Sequence, residues 1–196
     1  MIRYGLDTDK KSLMEMWKLC FPSDNDRFIK FYFDNVYKNE ETLVFSDNGQ
    51  PVASVQMIPY RIKTVYNILK GGYISGAMTH PGHRKKGIMD KLLKTSFEEM
   101  ILKNYDYTFL IPQEKWLIGM YEKYGFHLCE PAGYPPPNKV LKTSKQWSII
   151  QRFYFDETGI LLENEPEVPH EHKGMIKRLN PAAEEIKTLF MGMMLD

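Results

Sequence analysis

The chain is short of cysteine, of long apolar runs and of net charge, and each shortage removes a class of protein. Cys20 and Cys129 are the two thiols in 196 residues, far apart and outside any CxxC spacing. They make no disulfide framework, so a reducing cytoplasm is the expected compartment. No stretch approaches the roughly 18 apolar residues that a membrane span needs. The opening Met-Ile-Arg-Tyr lacks a charged head followed by an apolar run, so no secretory signal is expected. Internal repeats and low-complexity tracts are missing too. The formal net charge is +1, so no global field points to nucleic acid or membrane, and any attraction for anions is local.

Apolar residues make up 43% and charged residues 26%, enough to bury a core without disulfides or metal. Ile2 to Gly5 predicts a short strand. Leu13, Met16, Trp17, Cys20 and Phe21 recur at helical spacing over Asp9 to Phe21, and Pro22 stops them. Ser23-Asp24-Asn25-Asp26 offers caps for a second helix to about Tyr37. Glu41 to Ser46 and Pro51 to Pro59 read as strands joined at Asp47-Asn48-Gly49, a hairpin signal. Tyr60 to Leu69 extends the sheet, and Gly71 to Thr79 is a further strand rich in small residues. After the loop His80 to Lys86, a helix runs from Gly87 to about Lys103. Its apolar face is Ile88, Met89, Leu92, Leu93, Phe97, Met100 and Ile101. Tyr107 to Ile111 predicts a strand, Trp116 to Tyr124 a helix stopped by Gly125, and Phe126 to Cys129 another strand.

This alternation predicts an α/β fold. Pro131, Gly133, Pro135, Pro136 and Pro137 mark a boundary, giving a core over 1–130 and an extension over 131–196. In the extension, Trp147 to Phe155 and Gly159 to Leu162 read as strand or short helix. Met175 to Leu179 reads as a strand, and Pro181 to about Met194 as a helix.

Chemistry concentrates where the strand ending at Thr79 meets the helix starting near Gly87. Helix N-termini expose unpaired backbone N–H groups and a partial positive charge, which together suit a diphosphate. Arg84, Lys85 and Lys86 add charge there, and Gly87 lets the backbone approach closely. Gly82 and Gly87 have P-loop spacing, but Ile88-Met89 stands where Lys-Ser/Thr is required, and GxGxxG is missing. A diphosphate site of a third kind fits.

The run Arg84-Lys85-Lys86-Gly87-Ile88-Met89 resembles motif A of the GNAT superfamily of N-acetyltransferases, Arg/Gln-x-x-Gly-x-Gly/Ala. It departs only in carrying Met89 at the small position. Leu117-Ile118-Gly119-Met120-Tyr121-Glu122-Lys123-Tyr124-Gly125-Phe126 resembles motif B of the same family, at the usual distance. The His-Arg-x-x-Gly-Ile-Met variant is similar to the enhanced-intracellular-survival (Eis-like) branch of aminoglycoside and lysine acetyltransferases. The resemblance implies a GNAT-like mixed, twisted central sheet flanked by helices, with a short C-terminal α/β extension.

It also implies acetyl-CoA as cosubstrate, no metal, and transfer of an acetyl group to a primary amine on a small molecule or peptide. Ala77, Met78 and Thr79 would pair with the pantetheine arm and polarise the thioester carbonyl. Arg84, Lys85, Lys86, Gly87, Ile88, Met89 and Asp90 would hold the diphosphate. Trp116 and Leu117 would flank the reactive end, and Tyr121 would protonate the departing thiolate, with Tyr124 as second choice. No Asp or Glu occurs between Asp47 and Asp90, so the general base stays open among water, His80 and the C-terminal carboxylate of Asp196.

Other readings compete. Arg84-Lys85-Lys86 taken alone reads as a solvated surface. His80 and His83 read as loop or capping residues, and His170-Glu171-His172 as an exposed loop rather than a metal site. Cys20 and Cys129 read as buried hydrophobes, and Phe190 to Leu195 as a docking helix. A non-catalytic acyl-CoA sensor is the first rival function. A nucleic-acid-binding domain is the second, disfavoured by the charge balance, since phosphate backbones need a broad basic face. The acceptor's identity and the oligomeric state have no signature in the chain.

Overall fold

The computed structural model describes residues 1–130, 136–164 and 174–192. In chain order it contains β1 (Ile2–Tyr4), α1 (Lys10–Cys20), α2 (Asp26–Asn35), β2 (Thr42–Asp47), β3 (Gln50–Lys63) and β4 (Ile68–Thr79). Next come α3 (Ile88–Leu102), β5 (Tyr107–Leu110), α4 (Lys115–Glu122), β6 (His127–Leu128), β7 (Lys139–Leu141), α5 (Ser144–Thr158) and β8 (Met175–Arg178). This is the mixed α/β architecture, a sheet flanked by helices, that the sequence predicts. The chain forms two compact units, Met1–Ile58 with Ile74–Glu99 and Pro59–Tyr73 with Met100–Asp196. The predicted boundary after residue 130 falls inside the second. Among the described residues no helix is long and apolar enough to cross a membrane.

In the first unit the strand order is β1-β2-β3-β4. β2 and β3 pair antiparallel, and Asn48 and Gly49 make the turn with φ of 48° and 80°. Both values lie in the left-handed region that an Asn-Gly hairpin demands. The Asn25 side chain accepts from the Phe28 N–H at 2.8 Å, so α2 starts at the third of the four predicted cap residues. Trp17 on α1 and Tyr32 and Phe33 on α2 are buried together, with Trp17–Tyr32 centroids 4.6 Å apart. The buried Tyr32 hydroxyl donates to Gln56 Oε1 at 2.6 Å and lies 2.8 Å from Ser75 Oγ. That network satisfies polar groups which burial would otherwise penalise.

Gly76 interrupts β4 with φ 54°. A Cβ there would stand 2.8 Å from Cζ3 of Trp17, too close for a real contact. The strand therefore bends where the indole lies against its backbone, as a glycine inside a strand often signals. α3 buries Ile88, Leu92, Leu93, Phe97 and Met100 as expected. Ile101, assigned to the same face by periodicity, is instead 51% exposed.

In the second unit β4 pairs in parallel with β5 from Gly71↔Tyr107 to Tyr73↔Phe109. β8 pairs antiparallel with both β5 and β6, and β7 with the end of β3. The material read as strand or short helix after Thr143 is one 15-residue helix, α5. A reciprocal pair of bonds between Thr143 and Gln146 caps its start, and Gly159 at φ 72° ends it.

The helix predicted from Pro181 to Met194 does not form over 181–192. Asn180 organises a turn, its Oδ1 accepting from the Ala182 N–H at 3.0 Å. Beyond it Thr188 and Phe190 form isolated parallel bridges with Glu130 and Lys139. Lys187 O accepts from Glu130 N–H, and Phe190 exchanges bonds with Asn138 O and Val140 N–H. Those partners outcompete a modest helical preference. The same result removes Phe190 to Gly192 from the expected docking helix, whose last residues lie outside the described ones. His170, Glu171, His172 and Asp196 also lie outside them.

Gly76→Ala combines left-handed strain with overlap on Trp17, so it should destabilise the fold by about 1–3 kcal/mol. Chemical denaturation checks this, and an unchanged midpoint would mean that the indole has room to retreat.

Candidate functional site

The first unit holds the segment Ala77 to Asp90. β4 ends at Thr79, and the His80 N–H donates to Val52 O at 2.9 Å, pinning the exit of the strand. A single 3₁₀ turn follows over Pro81–His83, capped by His80, whose Nδ1 accepts from the Gly82 N–H at 3.2 Å. The chain then reaches α3 through Lys85 at φ 61° and Gly87 at φ 72°. Lys85 is a non-glycine residue in the left-handed region, a conformation that costs on the order of 1 kcal/mol and clusters at ligand-binding backbone. The reversal turns this stretch into the start of α3, where Lys91 N–H is bonded to Gly87 O. The N–H groups of the first helical residues have no partner within the helix, by geometry. Gly87 is exposed, and a Cβ on it would meet nothing within 4 Å. Its requirement is the positive φ rather than space inside the protein.

The expected diphosphate residues divide by burial. Arg84, Lys85, Lys86 and Gly87 are exposed, Met89 and Asp90 half-buried, and the Ile88 side chain buried as core. Ile88 thus offers a ligand its backbone N–H rather than its side chain. Arg84 is not a free cation: its Nε donates to Thr79 O at 3.1 Å and its Nη2 to Cys20 Sγ at 3.6 Å. Cys20, expected as a buried hydrophobe, is half-buried and also directs its thiol at Thr79 O, 3.4 Å away. Asp90 pairs with Lys94 at 2.9 Å. His83 Nε2 lies 3.4 Å from Asp47, tying the loop to the β2–β3 turn.

Among the described residues, the buried side-chain polar atoms that lack any hydrogen-bond partner are Thr79 Oγ1 and His83 Nδ1. Orphaned buried groups are rare in folded proteins and ask for an explanation. Both fall within five residues of one loop, the one that carries the basic run and the α3 N-terminus. Sequence reading placed Thr79 in the site but saw His83 as a loop or capping residue. It also passed over Gly76, although a glycine inside a strand was a usable sign of the bend.

Trp116, Leu117 and Tyr121 belong to the second unit. They share α4, with Trp116 69% exposed and Leu117 half-buried. The Tyr121 ring is buried and packs edge-on to Phe126 at 5.7 Å, a contact set by Gly125 turning the chain at φ 84°. Burial, with a smaller effect from Tyr124, pushes the Tyr121 phenol up to about 12. It therefore stays protonated well past neutrality. Tyr124, the second choice, is half-buried. Cys129 is buried with its thiol pushed up to about 12, which leaves it a poor nucleophile at neutral pH.

Residues 1–129 match the acetyltransferase (GNAT) domain family. No curated protein sequence matches the chain. Among solved structures, the GNAT family N-acetyltransferase YhbS from Escherichia coli, in complex with CoA, is similar in fold. Its TM-score is 0.62 at 14% identity, over 98% of this chain and 89% of that one. The ribosomal-protein-S18-alanine N-acetyltransferase from Escherichia coli aligns over 95% of this chain and 97% of its own, with TM-score 0.58 and 12% identity. Eis1 from Mycobacterium abscessus gives 0.56 at 11% identity over 64% of this chain. The chain spans about a third of the length of some of these structures: 31% of Eis1 and 32% of a GCN5-related N-acetyltransferase from Anabaena variabilis. Such identities speak to fold alone, whereas the family match runs through the greater part of the sequence, and on that ground the chain belongs to the GNAT acetyltransferase family.

Proposed function

We propose that this chain is an acetyl-CoA-dependent N-acetyltransferase that moves the acetyl group to a primary amine by direct transfer. The observation that carries the reading is the loop from Thr79 to Asp90. It combines a helix start, two left-handed residues, a basic run and two orphaned buried polar atoms. A linked pair of phosphates fits the helix start, the left-handed residues and the basic run, since it needs several backbone N–H donors and local positive charge. Bound acetyl-CoA would supply an activated thioester. Arg84, Lys85, Lys86, Gly87, Ile88, Met89 and Asp90 would hold its diphosphate, and the Ala77–Thr79 backbone its pantetheine arm, orienting the carbonyl. Trp116 and Leu117 would border the reactive end. Membership of the family supports all these assignments, and the CoA complex of YhbS supports the cosubstrate.

The chain's own chemistry is modest. Its backbone amides orient and polarise, and the Tyr121 hydroxyl holds a proton for the departing sulfur. An acid in this step must still carry its proton when it acts. The raised Tyr121 phenol meets that condition at any physiological pH. A covalent acetyl-enzyme has little support, because Cys129 is buried and protonated and Cys20 is engaged with Thr79 and Arg84. The motif variant and the likeness to Eis1 support a place near the Eis-like branch. The family match ending at 129 supports a transferase core over 1–130 with 131–196 as its extension.

Calorimetry with acetyl-CoA on the purified protein tests the reading at its root, and no heat would end it. Gly87→Asp should weaken acetyl-CoA binding at least about 10-fold, through strained φ and a carboxylate beside phosphate. Retained affinity would remove the diphosphate assignment. Tyr121→Phe should lower kcat about 100-fold, the usual size for a lost general acid, with acetyl-CoA affinity within about twofold. Unchanged turnover would exclude Tyr121. Because its phenol titrates near 12, loss of the acid form should produce no falling limb in kcat below about pH 11. A fall that starts near pH 9 and vanishes in Tyr121→Phe would contradict the assignment. Acetyl-CoA binding without turnover on any amine would favour the sensor.

A further inference from the structure

Asp24 stands in the turn between α1 and α2, its N–H donating to Phe21 O at 3.1 Å. Its neighbours on these helices have cations: Asp26 has Lys18 at 2.6 Å, and Asp34 has Lys10 and Lys30. The buried Asp9 is gripped by Arg3 through two bonds. Asp24 differs. It is half-buried, and among the described residues its carboxylate has one donor, the Trp17 indole Nε1–H at 2.7 Å, and no cation. Its surroundings are aromatic: Trp17 packs against Phe21 at 4.9 Å and Phe28 at 6.4 Å. Burial holds the carboxyl above the ordinary carboxylate range, with the indole bond pulling the other way. A partly desolvated carboxylate with a single neutral donor is costly, and a cation is the group that removes the cost.

The position gives this cost a direction. The Trp17 indole that binds Asp24 through Nε1 lays Cζ3 where a Cβ of Gly76 would stand. Gly76 immediately precedes Ala77, Met78 and Thr79. One indole therefore separates the carboxylate from the strand read above as the thioester's backing. Tyr32 and Phe33 pack on Trp17 at 4.6 and 5.7 Å, which closes that side to a ligand, whereas Asp24 is partly open to solvent.

We infer that Asp24 anchors a second positive charge on the acceptor, so that the acceptor is a diamine, a polyamine or another amine with a cation several bonds from the reacting nitrogen. The inference rests on the acetyl-transfer reading and adds the substrate class to it. Asp24 is a positioning residue here: it touches the acceptor's far end and not the reacting atoms. Two charges partly withdrawn from water attract more strongly than at an open surface, enough to set a preference among amines of equal length.

Steady-state acetyl transfer by the full chain tests this with 1,4-diaminobutane and butylamine, which differ in the second cation alone. The wild-type protein should favour the diamine about 10-fold or more in kcat/KM. Asp24→Asn retains an oxygen that accepts from the Trp17 indole, so the melting temperature should hold. It should raise KM for the diamine about 10-fold and leave kcat, KM for butylamine and acetyl-CoA affinity in place. Equal use of the two amines by the wild-type protein overturns the anchor without reference to any variant. So does an Asp24→Asn protein that keeps the diamine preference. Acetyl-CoA heat with no such preference sinks the anchor alone, whereas absence of that heat removes the transferase reading and the anchor with it.

Discussion

The contact between Trp17 and Gly76 is the constraint around which the first unit is arranged. A flat side chain of ten heavy atoms takes the place that any other residue at 76 would need for its own Cβ. Three consequences follow from that one exchange of volume. The strand bends at a left-handed residue, α1 and α2 seal over the indole through Tyr32 and Phe33, and the indole N–H reaches the turn between the helices. The buried Tyr32–Gln56–Ser75 bonds then hold the second helix to two strands at once. Packing here sets the backbone shape beside the candidate site.

Electrostatics enters one step later along the same strand. The basic run at 84–86 is not a diffuse patch. Arg84 is folded back on the Thr79 carbonyl and Cys20, while Lys85 and Lys86 stand in solvent beside the helix start. In the proposed diphosphate site, fixed backbone dipoles would provide the directional part of anion binding, and the lysines a screened, longer-range part. The Lys85 conformation ties the two together, since the residue that carries a charge also makes the left-handed turn.

Much of this was legible where local chemistry decides. Asn48-Gly49 made its hairpin because few other pairs tolerate both dihedral angles, and α3 followed its apolar spacing to within a residue at each end. The loop at 80–87 was legible because charge, glycine and the change of periodicity coincide. α5 was less so: Trp147, Ile149, Ile150, Phe153, Tyr154 and Phe155 suit a strand as well as a helix, and the Thr143–Gln146 cap that settles the matter was overlooked. The stretch after Pro181 misled in the other direction. Proline at a first turn followed by spaced apolar residues imitates a helix, and only distant partners such as Asn138 and Val140 take its backbone bonds instead. The orphaned atoms at Thr79 and His83, and the uncompensated carboxylate of Asp24, arise from folding and have no trace in residue order.

The stretch after Pro181 also has a structural task of its own. Residues 187–190 lend backbone to Glu130, Asn138 and Val140, while Glu184 receives the Thr64 hydroxyl at 2.5 Å and, through its own carbonyl, the Tyr107 hydroxyl at 2.5 Å. This segment is thereby a tie rod for strands that precede it in the chain. Every strand and helix named above precedes residue 181, and the stretch after it laces Thr64, Tyr107, Glu130 and Val140 together. Fastening of the second unit thus falls to a stretch with no helix among its described residues.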